Sequence, residues 1–206
     1  MSGLLAPAVA RFIEKRRLYG LRTLERLRED LSPARFEHTV HVAALAESLA
    51  RRHGASPDAA RTAGLLHDAG RRYRPHEVAR YVRARAISVP ERAKVLASDP
   101  MLAHAYVSAD LARREFGVED PEILGAIRRH TLGDARLSLL DKVLYVADAC
   151  SLDRSHSSAA ATRALAYEDL DEALRRCVAE KLVHAVGRDA WLHPLTVRLW
   201  NSLAGR

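Results

Sequence analysis

The chain has 206 residues, enough for one large domain that buries a core without disulfide or metal staples. Lys and Arg number 33 against 26 Asp and Glu, a formal net charge of +7 spread along the chain. Hydrophobic residues make up 48%, but no apolar run approaches the 18–20 residues of a transmembrane helix, so no membrane span is expected. At the N-terminus the basic residues follow a short apolar patch instead of preceding it, which argues against a secretory signal. Cys150 and Cys177 are too few for a disulfide framework, and a cytoplasmic protein is the simplest reading. With 36 Ala and 29 Arg but only 5% aromatics, the composition favours helices over strands, and the expected fold class is all-α.

Helical periodicity runs through nearly the whole chain. A first helix is expected over 8–30. Ser32-Pro33 opens a second, with Ser as N-cap and Pro at the first helical position, and His53-Gly54 closes it. Ser56-Pro57-Asp58 starts a third that carries AARTAGLLHDAG and ends near Gly70. RRYRPHE reads as a basic turn. A short helix follows over 76–86, then a break at Val89-Pro90 and another short helix to about Leu96. Asp99-Pro100 and Asp120-Pro121 each start a helix, ending near Phe116-Gly117 and His130. LGDARLS is a turn, and 138–150 is an apolar helix. Residues 154–161 are Ser/Ala-rich and read as a loop. Helices over 162–187, with a possible break at Glu168-Asp169, and over 194–203 complete one all-α domain.

Five of the ten histidines fall in helical stretches with apolar or small neighbours: His38, His41, His67, His104 and His130. Asp68 and Asp148 do likewise. A single histidine on an apolar face is ordinarily a satisfied core residue. The joint pattern is different, because four helices each bring a histidine and a fifth brings an aspartate. A bundle gathers such groups into one interior metal site, and imidazole with carboxylate suits Fe, Mn, Co or Zn. His67-Asp68 is the sharpest element. Two adjacent helical residues point about 100° apart and grip an ion from two sides.

The stretches RFEHTVHVAALAESLARRHGA, LLHDAGR, HAYVSADLARREFGVEDPEILGAIRRHTLG and LLDKVLYVADACSLDR run from about Arg35 to Arg154. In these the chain resembles the HD-domain metal-dependent phosphohydrolases. It is similar in particular to the YqeK-like group, the symmetrical bis(5′-nucleosyl)-tetraphosphatases. The resemblance implies a single HD-domain helical bundle over 18–206, with 1–17 as an extension of the first helix. It implies that His38, His67, Asp68 and Asp148 ligate metal and that His104 and His130 complete a two-metal site bridged by Asp68. It implies iron, with Mn, Co or Zn as alternatives, and cleavage of diadenosine tetraphosphate into two ADP. There are departures. Arg71 stands where the family usually has Lys, and Ser151-Leu152 stands where an acid-Pro pair is usual, with Arg154 kept.

A polyphosphate is strongly anionic, so cationic side chains are expected to hold it. Arg71 is the first candidate by position and is assigned with Asp68 to the catalytic group. Arg154, Thr131 and Gly133 are further substrate-binding candidates, the last two as a tight turn beside His130 or simply as a helix cap. Arg72, Arg74 and Arg129 are cations of the same region, and Arg72 reads as a salt-bridge partner. Lys142 is undecided between site and solvent, and His41 between support of the site and plain burial. Tyr73 and Tyr106 read as core rather than as adenine-stacking rings. His53, His76, His156, His184 and His193 read as surface residues. The alternatives are another HD-type nucleotide phosphohydrolase, or a nucleotide-binding module without catalysis. The expected partner is a small nucleotide, a homodimer is possible, and neither nucleic acid nor membrane is expected.

Overall fold

The computed structural model describes residues 21–154 and 158–204, so the extension assigned to 1–17 and the histidine at 156 lie outside the described residues. Among the described residues there are eleven α-helices, two short 3₁₀ turns and no strand. The helices are α1 Leu21–Asp30, α2 Pro33–His53, α3 Pro57–Leu66, α4 Pro75–Ala84, α5 Arg92–Ser98 and α6 His104–Phe116. There follow α7 Pro121–Arg129, α8 Leu139–Cys150, α9 Ala159–Glu168, α10 Leu170–Val186 and α11 Pro194–Leu203.

The expected starts are made by the expected chemistry. Ser32, Ser56 and Asp120 accept hydrogen bonds from backbone N–H groups in the first turns of α2, α3 and α7, and a proline follows each. Gly54 closes α2 at φ +83°, and Gly117 closes α6 at φ +68°. The suspected break at Glu168-Asp169 is present. Asp169 leaves helical geometry at φ −139°, ψ 99° and accepts from the Glu172 N–H to start α10. α9 starts at Ala159, inside the segment read as a loop, and two further boundaries differ from the sequence reading at the clustered residues. The third helix stops at Leu66 instead of Gly70, and a 3₁₀ turn over Ala69–Arg72 takes over after Asp68, at φ −107° and ψ 15°. The sixth begins with a 3₁₀ turn over Pro100–Ala103, so that His104 becomes its first α-helical residue. Both changes sit at histidine or aspartate positions.

α8 is the hub. Its sequence LLDKVLYVADAC is buried at Leu140, Val143, Leu144, Tyr145, Val146, Ala147 and Cys150, and it packs against α2, α3, α7, α9 and α10. α2 and α3 form the most extensive helix pair. Their close approach depends on Gly64, where an added Cβ would lie 2.5 Å from the Ala43 Cα. Cys150 and Cys177 are both buried and unlinked. No described helix is long and apolar enough to cross a membrane.

Candidate metal centre

His38 comes from α2, His67 and Asp68 from the end of α3, His104 from the start of α6, His130 from the end of α7, and Asp148 from α8. The four histidines and Asp68 are buried, and Asp148 is partly open. The rings of His38 and His67, His67 and His130, and His104 and His130 lie edge to face with centroids 4.9–5.4 Å apart.

The protonation pattern follows from the backbone. His67, His104 and His130 each donate their Nδ1–H to the carbonyl three residues back, on Gly64, Met101 and Ile127, at 2.6–2.7 Å. A carbonyl only accepts, so each Nε2 is left as a lone pair. These lone pairs converge. His104 Nε2 lies 3.1 Å from His130 Nε2 and 3.0 Å from Asp68 Oδ1, and His130 Nε2 lies 3.8 Å from that same oxygen. His67 Nε2 is buried with no hydrogen-bond partner, and the carboxylates of Asp68 and Asp148 lie 3.6 and 3.7 Å from it. His38 Nε2 is 3.0 Å from Asp148 Oδ1.

A buried set of acceptors that face one another is repulsive unless a cation joins it. Separations of 3.0–3.8 Å match neighbouring ligands of one ion with bonds of about 2.1 Å. Three triads bring one ligand atom from each residue within 4.8 Å of the others: His38, His67 and Asp68; His67, His130 and Asp148; and Asp68, His104 and His130. Asp68 belongs to two of them. The donor set therefore fits divalent metal, with imidazole and carboxylate suited to several first-row ions.

Titration agrees with that role. Burial disfavours the imidazolium at His67 and His130, and a neighbouring histidine adds to it, so both sit below the ordinary histidine value and stay neutral. Burial alone would raise Asp68. The Arg71 guanidinium opposes it, and the carboxyl lies well below its usual range. Asp148 likewise lies well below its usual range despite burial.

The rim is cationic. Arg71 Nε donates to Asp68 Oδ1 at 3.0 Å, and Arg154 Nη2 donates to Asp148 Oδ1 at 2.9 Å. Arg35, which is not among the cationic candidates from sequence, donates through Nη1 to Asp68 Oδ2 at 2.8 Å. It precedes His38 by one helical turn, and the i, i+3 spacing was the signal for it. Thr131 Oγ1 lies 3.0 Å from His130 Nε2 and 3.2 Å from His104 Nε2.

Other candidates lie elsewhere. Gly133 does not face the cluster. It ends the α7 turn at φ +72° and packs on Leu199, whose Cδ2 would be 2.4 Å from an added Cβ, so it serves as a helix cap. Arg129 pairs with Asp141, Lys142 with Asp171, and Arg72 with Asp30 and Glu115. Arg74 caps α4. His41 is only partly buried, near Glu37, and takes no part. Tyr106 is core, and Tyr73 stacks on Tyr81. His76 and His184 are exposed as expected, but two histidines read as surface are not. His53 bonds through Nε2 to the Ala166 carbonyl. His193 is buried as the N-cap of α11 and bonds through Nε2 to the Pro90 carbonyl, because the turn before Pro194 folds it inward. The departure at Ser151-Leu152 does not remove acid from the segment, since Asp153 stands two residues on and meets His38 at 2.7 Å.

Six His and Asp side chains brought together by five helices make this an HD-type helical bundle with a buried His/Asp cluster. Comparison with known proteins agrees. The HD domain matches residues 35–153. The chain is 37% identical over 177 residues to the symmetrical bis(5′-nucleosyl)-tetraphosphatase of Bacillus subtilis, covering 86% of this chain and 93% of that one. It is 28% identical to the protein of the same description from Halalkalibacterium halodurans, over 88% and 95% of the two chains. The crystal structure of a predicted HD superfamily hydrolase involved in NAD metabolism from Clostridium acetobutylicum superposes with a TM-score of 0.84 at 26% identity, over 90% and 96% of the chains. The chain belongs to the HD-domain family, beside the symmetrical bis(5′-nucleosyl)-tetraphosphatases.

Proposed function

We propose that the protein hydrolyses diadenosine tetraphosphate at its middle, giving two ADP, with His38, His67, Asp68, His104, His130 and Asp148 holding two metal ions, most simply iron. One observation carries this reading beyond family membership. Histidine lone pairs and carboxylate oxygens converge at 3.0–3.8 Å in a buried pocket, with the ring N–H of His104 and of His130 turned away to a backbone carbonyl. Two such ions supply Lewis acidity toward phosphoryl oxygens and lower the pKa of water.

The chain's own residues do the rest. Asp68 offers one oxygen to each of two triads. Arg35, Arg71 and Arg154 form a cationic rim of 31–37% exposure, open enough to reach a polyphosphate while each stays tied to a cluster carboxylate. Thr131 adds a hydroxyl beside His104 and His130. Water adds to one inner phosphorus, the central anhydride bond breaks, and an ADP leaves on each side. A cytoplasmic location and a homodimer belong to the same reading.

Elemental analysis of protein purified without chelator tests it. Two ions per chain are expected, falling toward one in His104→Ala and in His130→Ala. Full metal content and full activity in both variants would make these histidines core residues and end the two-metal reading.

A further inference from the structure

Three of the four cluster histidines are oriented by their own helix ends. Gly64 and Ile127 lie in the last turns of α3 and α7, and Met101 in the 3₁₀ turn before α6. Carbonyls in such places lack a full set of ladder partners and are free to accept. His38 is different. It lies in the second turn of the 21-residue helix α2, where the carbonyls are taken by N–H groups four residues on. Its orienting acceptor has to come from another part of the chain.

That acceptor is Asp153. Its Oδ2 accepts the His38 Nδ1–H at 2.7 Å, and Arg154 Nη2 lies 3.4 Å from the opposite nitrogen, on the donor side. The His38 Nε2 lone pair is thereby turned to Asp148 and the cluster. Asp153 is itself built in. Its other oxygen accepts from the Ser151 hydroxyl at 2.7 Å, and Ser151 is fully buried. The Arg154 N–H closes the turn on the Ser151 carbonyl at 3.0 Å. Arg163, from α9, donates to the carbonyls of Cys150 and Ser151 at 2.6 and 3.0 Å, fixing the end of α8 from which the turn departs.

We propose that Asp153, held by Ser151 and by the Arg163-clamped end of α8, is the positioning residue that fixes the tautomer and direction of His38 for metal binding. The inference rests on the metal reading of the cluster. A carboxylate behind a ligating imidazole holds the ring and raises its basicity, and loss of such a partner costs 10- to 100-fold in metal affinity.

Chelator competition on the full chain measures this, with circular dichroism to confirm folding. Asp153→Ala is expected to weaken one of the two ions by about 10- to 100-fold and leave the other near its wild-type affinity. Asp153→Asn keeps an acceptor oxygen without the charge and should lose less. Asp171→Ala, which removes only the exposed partner of Lys142, should change neither ion. Wild-type affinity for both ions in folded Asp153→Ala overturns the proposal and leaves the metal centre standing. If that variant does not fold, Ser151→Ala decides: it frees Asp153 and must weaken the same ion, and unchanged affinity overturns the proposal. A wild-type protein that binds no metal would remove the centre itself.

Discussion

Gly64→Ala tests the link between packing and site. Gly64 lies in the last turn of α3 against Ala43 of α2, and its carbonyl also orients His67. An added Cβ would meet the Ala43 Cα at 2.5 Å, its N at 2.9 Å and its Cβ at 3.2 Å. Ordinary contact needs about 3.5–4.0 Å, so the two helices must part by about 1 Å. The obstacle is backbone and cannot rotate away. Overpacking of this kind costs about 1–3 kcal/mol, here toward the upper end, against a helix-propensity gain of about 1 kcal/mol. The net loss is about 2 kcal/mol. The same movement separates His38 from His67, and a misplacement of about 1 Å near reacting groups costs on the order of 10²-fold in rate. Urea denaturation and turnover read the two effects. Gly125→Ala is the contrast: its Cβ meets a side-chain end, Arg129 Nη1, instead of backbone, so Arg129 can give way at the expense of its pair with Asp141 and turnover should fall far less than in Gly64→Ala. A Gly64→Ala protein with wild-type midpoint and turnover would refute the claim that this glycine sets the spacing of the two helices.

Two further outcomes follow from the cluster. Asp68→Asn keeps shape but loses the charge shared by two triads, so at least one ion should be lost and turnover should fall about 10³-fold, equivalent to roughly 4 kcal/mol. If Asp68 served only to pair Arg35 and Arg71, the amide would retain near-normal turnover with excess metal. In chelator-stripped protein the urea midpoint should decline as pH drops below about 6.5. His67 and His130 are harder to protonate folded than unfolded, so between their depressed values and 6.5 the unfolded chain binds more protons. Asp68 and Asp148 lie well below 3.8 and add their loss only in stronger acid. A midpoint that is flat or rising from pH 7 to 5 would contradict these shifts.

Local chemistry was legible in the sequence wherever it is decided within one turn. Ser32-Pro33, Ser56-Pro57 and Asp120-Pro121 start helices because their oxygens serve N–H groups two or three residues on, whatever the fold. The clustered histidines were legible because ionisable groups among apolar neighbours need a reason to be buried. What stayed hidden depends on partners far along the chain. Arg35 meets Asp68 across 33 residues, and Asp153 meets His38 across 115. No periodicity in a single helix records such pairs. Gly133 stayed open in the sequence because a left-handed glycine after a histidine serves a helix end and a phosphate turn equally well, and its packing on Leu199 from α11 supports the helix end. His193 misled because a histidine in a turn before a proline reads as exposed, whereas its ring turns back to cap α11.

The central claim is that this buried cluster, loaded with metal, splits a dinucleoside tetraphosphate at its centre. Chromatography of the products formed from diadenosine tetraphosphate, by protein as purified, after chelation and after metal is restored, tests it most directly. ADP alone is expected, abolished by the chelator and regained with metal. ATP with AMP as the main products, or turnover indifferent to chelation, would contradict it.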